Sequence, residues 1–400
     1  MLNAVELFAG AGGLGLGMSL AGFNPLAVVE WDKDACDTIR ENQKRGFPLV
    51  KDWPLYQGDV RTFEYKEFVG AVDLVSGGPP CQPFSMGGKH RAFRDGRDMF
   101  PATANIIRKL APKAFIIENV KGLTRASFVN YYNYILLLLE FPEIVRKDDE
   151  KWGEHLARLE KYKTSGNRKG LTYSVVPHLV NAANFGIPQK RERIFFVGFQ
   201  HQMDVQWSFP EETHSQDALL VSQWVNGEYW DKHRIAKRRR PQVPDSLQRR
   251  IEVSRKSNIG PDRYPWQTVR DALADIPEPT KGSKFFHNHT LQDGARTYVG
   301  HTGSPLDLPA KTLKAGDHGV PGGENMMVRD DGSVRYFTIR ESARLQTFPD
   351  GYEFHGSWTE AMRQLGNAVP VALAQLVASS VAEKLLEWRW RQEMKSRRAQ

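Results

Sequence analysis

The sequence predicts an α/β protein: a mostly parallel sheet with helices on both faces, joined to a smaller β- and loop-rich region. Two observations carry that expectation. Short apolar runs alternate with helical patterns through the first 120 residues, the mark of strand–helix–strand units. From about 200 to 336 that rhythm stops, and Pro, Gly, Trp and His dominate. At 400 residues the chain has the length of two or three domains, and its 40% apolar and 26% charged residues are those of an ordinary globular protein.

The elements follow in order. Ala4 to Phe8 reads as a strand, followed by a glycine-rich turn and a helix through Leu20. Leu26 to Glu30 is a second strand and Asp34 to Lys44 a second helix. Ala71 to Ser76 is a strand that ends at Gly77-Gly78-Pro79-Pro80. Met99 to Leu110 reads as helix and Ala114 to Glu118 as another strand. Glu140 to Gly170 is dense in charge, with Trp152, Leu156 and Leu159 at partly helical spacing; it predicts a charged helical insertion on the surface. Strand patterns resume at Tyr173 to Val180 and at Arg193 to Phe199. Arg340 to Thr347 predicts a helix, and Val369 to Trp390 a long one opened by Pro370 near its first turn.

Composition excludes several classes. Two cysteines, Cys36 and Cys81, cannot build a disulfide scaffold or a four-cysteine zinc module, and they suit a reducing compartment. No run approaches the roughly 20 apolar residues of a membrane helix, and no basic region precedes an apolar one at the N-terminus, so neither a membrane nor a secretory signal is expected. A net charge of +8 is compatible with nucleic acid without establishing it. His287-Asn288-His289 lacks the surrounding acidic frame of a metal site, and no metal is expected.

Three places suggest chemistry. Gly10, Gly12 and Gly15 lie at a strand-to-helix turn, where glycine lets a ligand approach the backbone. Glu30 follows about twenty residues later, where a carboxylate can accept hydrogen bonds from ribose hydroxyls. The pair predicts a nucleoside-containing cofactor without saying which, and a dinucleotide stays open at this point. Cys81 sits in Pro79-Pro80-Cys81-Gln82-Pro83-Phe84-Ser85, a proline-stiffened loop after a buried strand, where α/β proteins place reactive groups. Glu118 ends the next apolar strand, and a carboxylate there is costly to bury unless paired. A thiolate adding to C6 of cytosine, with an acid facing N3, turns C5 into a carbon able to attack a methyl donor. Cys81, Glu118, the glycine loop and a cation from Arg191 or Arg193 would supply the parts.

These blocks resemble the DNA (cytosine-5)-methyltransferases, of the kind found in bacterial restriction–modification systems. The resemblance runs from Val5 to about Gln375, apart from the middle region and the charged insertion. Glu6-Leu7-Phe8-Ala9-Gly10-Ala11-Gly12-Gly13 resembles the cofactor loop, with Glu6 where the family more often has Asp. Glu30-Trp31 resembles the pair that holds ribose and adenine, and Gly58-Asp59-Val60 the turn near the adenine amino group. The Cys81 loop, including Pro80, resembles the nucleophile loop, and Glu118-Asn119-Val120 the carboxylate strand. Gln189-Lys190-Arg191-Glu192-Arg193 resembles the strand whose second arginine faces the flipped base. Arg340 to Pro349 and Gln364 to Pro370 resemble the last two blocks, whose Asn and Val, here Asn367 and Val369, return to the cofactor.

The resemblance implies a Rossmann-like, S-adenosylmethionine-dependent methyltransferase sheet, with S-adenosylhomocysteine as product. It implies a catalytic domain from 1–199 and 362–400, and a target-recognition domain with its hinge from 200–361. Duplex DNA carrying a specific site is the expected partner, reached by flipping the base into the active site. Ser85, Lys89 and Arg91 of the Cys81 loop, and Arg238 and Arg239 of a stretch with nine basic and two acidic residues between Arg234 and Lys256, are the expected DNA contacts. A monomer in the cytoplasm, associated with the nucleoid in a bacterium, is expected; a cognate restriction endonuclease would not be a required partner in a complex. The competing readings are a tRNA cytosine-5 methyltransferase, opposed by the long middle region, and a catalytically silent DNA-binding protein, opposed by Cys81, Glu118 and Arg193.

Overall fold

A computed structural model describes residues 1–80, 98–166, 168–256, 262–281, 286–315 and 323–399. The chain divides into two compact units. One comprises Met1–Val180, Glu192–Pro210 and Ala374–Gln400; the other comprises Asn181–Arg191 and Glu211–Leu373.

The first unit is built on a seven-stranded sheet. Its strands are β1 (Leu2–Leu7), β2 (Phe23–Glu30), β3 (Leu55–Gln57), β4 (Leu74–Gly77), β5 (Ala114–Val120), β6 (Tyr173–Asn181) and β7 (Glu192–Gln200), in the spatial order β3-β2-β1-β4-β5-β7-β6. β1 pairs in parallel with both β2 and β4, and β4 in parallel with β5. β7 runs antiparallel to β5, with Glu118 opposite Phe195 and Val120 opposite Arg193. Helices α1 (Gly13–Leu20), α2 (Lys33–Lys44), α3 (Phe100–Leu110), α4 (Val129–Glu140) and α5 (Trp152–Thr164) complete the unit, with the C-terminal helix Val371–Ala399 beside them. β1 and β5 are buried on both faces, which is why they read as near-continuous apolar runs rather than alternating ones.

The strand order reverses between β1 and β4. From β1 the chain leaves toward β2 on one side, and β4 opens the other half of the sheet. Ligands in open α/β sheets bind outside the carboxyl ends of the strands at such a switch point. The glycine loop follows β1 and Gly77-Gly78-Pro79-Pro80 ends and follows β4, so both lie at this place.

Local chemistry accounts for the element ends. Asp32 caps α2 by accepting the Ala35 N–H at 2.9 Å, and Lys44 sits in the last turn beside the negative end of the dipole. α3 starts at Phe100, one residue later than the sequence predicts, and ends at Ala111 in the left-handed conformation. The C-terminal helix starts at Val371, not Val369, and reaches Ala399. Pro370 therefore precedes the helix rather than lying in its first turn. An 18-residue window within Trp358–Arg398 is apolar enough by composition to cross a membrane, contrary to the sequence reading, but 67% of it is buried inside the protein. Its apolar surface serves packing: Val377, Ala378 and Val381 are fully buried, and Arg389 bonds the Asp73 carboxylate and the Met1 carbonyl.

The charged insertion is helical, as expected, but α5 is not simply laid on the surface. Leu159 and His155 are fully buried, and Trp152, Leu156 and Tyr162 pack on the main core. The His155 ring spans Tyr134 Oη at 3.0 Å and the Ile144 carbonyl at 2.6 Å.

The second unit is loop-rich, with strands only two or three residues long at His214–Ser215, Tyr264–Pro265, Ser304–Pro305, Met326–Val328 and Val334–Tyr336. Short helices carry more of it than the sequence suggests; among the described residues Asp245–Lys256 and Trp358–Asn367 are the longest. Tyr229, Trp230, Trp266 and Leu219 form a local core, with Trp224 against it. These tryptophans pack rather than point outward.

Candidate active site

The glycine loop takes a shape that most side chains resist. Phe8 has φ +54°, Gly10 +56° and Gly12 +86°, three left-handed residues within five. A non-glycine residue in that region stores strain, and such strain collects at ligand sites. Gly12 caps α1, and Gly13 is its first helical residue. The first turn of α1 begins without a capping side chain at Gly12, and its Gly15 N–H is taken by the Glu6 carboxyl.

Glu30 ties this loop to the end of β2. Its Oε2 accepts the Gly10 N–H at 2.7 Å, and its Oε1 accepts the N–H groups of Trp31 at 2.8 Å and Asp32 at 2.7 Å. A carboxylate offers about four lone-pair sites, so this one keeps capacity for a further donor such as a ribose hydroxyl. Burial pushes its pKa above the usual carboxylate value, while the three N–H groups pull the other way. Trp31 beside it is 73% exposed, a large aromatic face left unpacked in an otherwise ordered segment. Asp59 is chelated by the Arg61 guanidinium, which holds its carboxyl below the usual range, and the Val60 carbonyl accepts Tyr65 Oη at 2.9 Å. A ring-stacking face, a ribose acceptor and a glycine cradle fit the nucleoside part of S-adenosylmethionine.

Glu6 lies beneath this loop, 1% exposed, where β1 meets α1. A Cβ on Gly15 would run into its Oε2 and stand 2.8 Å from Trp53, so only glycine fits there. Burial pushes the Glu6 carboxyl up to about 8; the Gly15 N–H lowers it, and the Glu30 charge raises it. Between the ordinary value of 4.5 and about 8 the folded protein therefore binds a proton that the unfolded chain releases. Stability from this group is full below about pH 4.5 and falls as pH rises toward 8. Glu6→Gln, neutral throughout, should flatten that fall, by about 4 kcal/mol across the window. Urea unfolding midpoints between pH 5 and 9 check it; parallel pH profiles for the variant and wild type would show Glu6 to be ionised in the fold.

The second group surrounds β4 and β5. Arg193 Nε contacts Glu118 Oε1 at 2.9 Å, with side chains 11% and 8% exposed. The antiparallel register explains this meeting: Arg193 faces Val120, so Glu118 is its diagonal neighbour on the same face of the sheet. Burial lowers the arginine's pKa, and the carboxylate opposes that shift. Glu118 Oε2 also lies beside the loop after β4, 3.2 Å from where a Cβ on Gly78 would stand. The neighbouring Asn119 donates from Nδ2 to the Pro79 carbonyl at 2.9 Å and accepts the Val120 N–H on Oδ1. Asn119 thus clamps the loop two residues before Cys81. The Glu118-Asn119-Val120 block contains this residue, but its role is visible only from the contact. Pro80 is exposed at the end of that described stretch. Cys81, Ser85, Lys89 and Arg91 lie outside the described residues.

Arg191 and Arg193, two residues apart, have different surroundings. Arg191 is fully buried in the second unit, donating to the carbonyls of Gly366 and Ala368 at 2.7 Å each and Leu313 at 3.2 Å. Those contacts brace the turn bearing Asn367, which is exposed, and Val369, which is buried. Arg238 and Arg239 are exposed in a short helical turn, Lys237–Arg239. Cys36, the other cysteine, is buried with its thiol pushed up to about 12, mainly by burial, and is inert as a nucleophile at neutral pH.

A switch-point glycine cradle, an acid–aromatic pair and a carboxylate–arginine pair on adjoining strands define a Rossmann-like methyltransferase. The profile of the C-5 cytosine-specific DNA methylase family matches residues 2–141 and 158–383, and the chain belongs to that family. The interruption at 142–157 falls within the charged insertion. The Type II methyltransferase M.PspPI of Psychrobacter sp. (strain TA137) is 31% identical over 96% of this chain and 79% of its own length. M.NgoMIV of Neisseria gonorrhoeae, also a Type II methyltransferase, is 27% identical over 96% of this chain and 98% of its own. Among solved structures, S. pombe Dnmt2 methyltransferase superimposes with a TM-score of 0.56 over 96% of this chain and 99% of that one, at 18% identity, a likeness of fold. The chain is accordingly a DNA methyltransferase acting at C5 of cytosine, in a family whose methylation depends on S-adenosylmethionine.

Proposed function

We propose that the protein methylates one cytosine within a specific duplex DNA sequence, through a transient bond between Cys81 and C6 of the flipped base. The buried Glu118–Arg193 pair, beside a loop clamped by Asn119, is the observation that supports this most directly. S-adenosylmethionine, when bound, supplies an electrophilic methyl group. Gly10, Gly12 and Gly13 would let its polar atoms approach the loop, Glu30 would take its ribose hydroxyls, and Trp31 would cover its adenine, with Phe8, Asp59, Val60 and Pro80 around them; Asn367 and Val369 keep the cofactor role that the family resemblance implies.

On the base, the Cys81 thiolate adds to C6 and the electron pair moves toward N3, where the Glu118 carboxyl donates a hydrogen bond or proton. Arg193 steadies the charge of that carboxyl and faces the ring oxygen. C5, now enamine-like, attacks the methyl carbon as the methyl–sulfur bond breaks and its electron pair stays on the sulfur of the leaving S-adenosylhomocysteine; loss of the C5 proton to a base and departure of the thiolate from C6 restore the aromatic ring. Arg191 serves by holding the Gly366–Ala368 turn. The second unit, the larger part of the 200–361 region, is read as the target-recognition module, and the reaction needs no second subunit. Any endonuclease of the same specificity would act separately on unmodified DNA.

The decisive experiment offers the full chain duplex plasmid DNA and tRNA together with S-adenosylmethionine, then maps 5-methylcytosine by bisulfite sequencing. Methylation of a single recurring duplex sequence is expected. Methylation of tRNA alone would favour the RNA reading, and scattered methylation without a common sequence would remove site specificity.

A further inference from the structure

Helix Asp245–Lys256 in the second unit is bound to its surroundings in an unusual way. A helix packed on a core normally presents three or four apolar residues over two turns. This one buries only Ile251, with Leu247 half-buried. Arginines on its inner flank supply the remaining attachment: Arg250 pairs with Asp217, and Arg255 donates to the Trp224 carbonyl at 2.9 Å.

The opposite face is open. Arg249, Val253 and Lys256 stand at i, i+4 and i+7, one line along the helix, and all three are exposed. Val253 is 61% exposed, an apolar β-branched side chain between two cations. Neither Arg249 nor Lys256 has a carboxylate partner among the described residues. The line from Arg249 to Lys256 is about 10 Å long, and a helix of this kind fits a major groove about 12 Å wide.

Resting on the reading that this protein modifies duplex DNA, we propose that Asp245–Lys256 enters the major groove and reads bases. Arg249 takes a guanine edge, Val253 meets the methyl group of a thymine or the C5–H edge of a cytosine, and Lys256 holds the flanking phosphate. The guanidinium fork matches guanine O6 and N7, and an apolar side chain at the next turn suits the hydrocarbon edge of a pyrimidine. Arg238 and Arg239, exposed upstream in the chain, serve as sequence-blind phosphate contacts.

The test uses the full chain and a duplex library with randomised positions around a central cytosine, read by bisulfite sequencing. Wild type, Arg249→Ala, Val253→Ala and Arg238→Ala are compared; all three positions are exposed, so folding should survive. Arg249→Ala should relax discrimination at one base position by about tenfold or more, and Val253→Ala should alter an adjacent position by a smaller factor. Arg238→Ala should lower methylation of all sequences alike and shallow the salt dependence. Unchanged base preferences in both Arg249→Ala and Val253→Ala overturn the proposal, as does a uniform loss across all sequences in those two variants. No DNA methylation by wild type would instead overturn the functional reading beneath it.

Discussion

Cys81→Ser should bind DNA as wild type does and lose methyl transfer by on the order of 10⁴-fold or more. The reason is elementary: a serine hydroxyl is scarcely ionised near neutral pH, and it adds to a pyrimidine C6 far less readily than a thiolate. Turnover with tritiated methyl donor measures the loss, and a gel-shift assay on the same duplex measures retained affinity. Duplexes carrying 5-fluorocytosine at the target position give a second readout. Fluorine cannot leave as the proton does, so wild type plus S-adenosylmethionine should form a complex stable to detergent, with position 81 joined to the base. Cys81→Ser should form none. A variant with near-normal turnover, or wild type that never forms the adduct, would exclude the covalent route.

Arg193→Ala carries the second large effect. It takes the Arg193 guanidinium away from the Glu118 carboxylate, which is 8% exposed. Removing one member of a buried pair costs about 3–5 kcal/mol, because the remaining charge is stranded, unless Glu118 instead takes up a proton. Turnover should fall by about 10²–10³-fold, since a cation near the ring oxygen is lost where charge develops. Two further variants separate pairing from catalysis. Adding Glu118→Gln to Arg193→Ala removes the stranded charge, so unfolding stability should recover while turnover stays low. Arg193→Lys keeps the charge without the planar fork and should recover stability more than rate. An Arg193→Ala protein as stable as wild type, or a double variant no more stable than the single, would mean the pair is not energetically coupled.

Much of the site can be read along the chain because parallel strands deliver their carboxyl ends to one edge. The glycine loop after β1, Glu30 at the end of β2, the proline loop after β4 and Glu118 near the end of β5 all follow apolar runs that the sequence marks as strands. Glu6 shows the limit. As a carboxylate inside an apolar strand it looks like a conservative variant of a cofactor-loop acid, yet its proton affinity comes from being enclosed by α1 and Trp53. Helix Asp245–Lys256 is similar: its basic composition is plain, whereas the separation of tethered Arg250 and Arg255 from open Arg249 and Lys256 depends on where Asp217 and the Trp224 carbonyl lie.

The two arginines of Gln189-Lys190-Arg191-Glu192-Arg193 draw the boundary most clearly. Spacing and residue type alone make either one a candidate to face the base, and nothing in the local pattern separates them. The antiparallel pairing of β7 with β5 brings Arg193 diagonally beside Glu118, while Arg191, just outside that strand, spends its donors on carbonyls from residues more than a hundred positions away. Strand periodicity, turn chemistry and the identities of reactive groups are local properties, governed by steric limits and burial within a few residues. Which charges meet, which are consumed by the backbone and which stay open to a ligand are set by long-range register and by the energetic demand that every buried polar group find a partner.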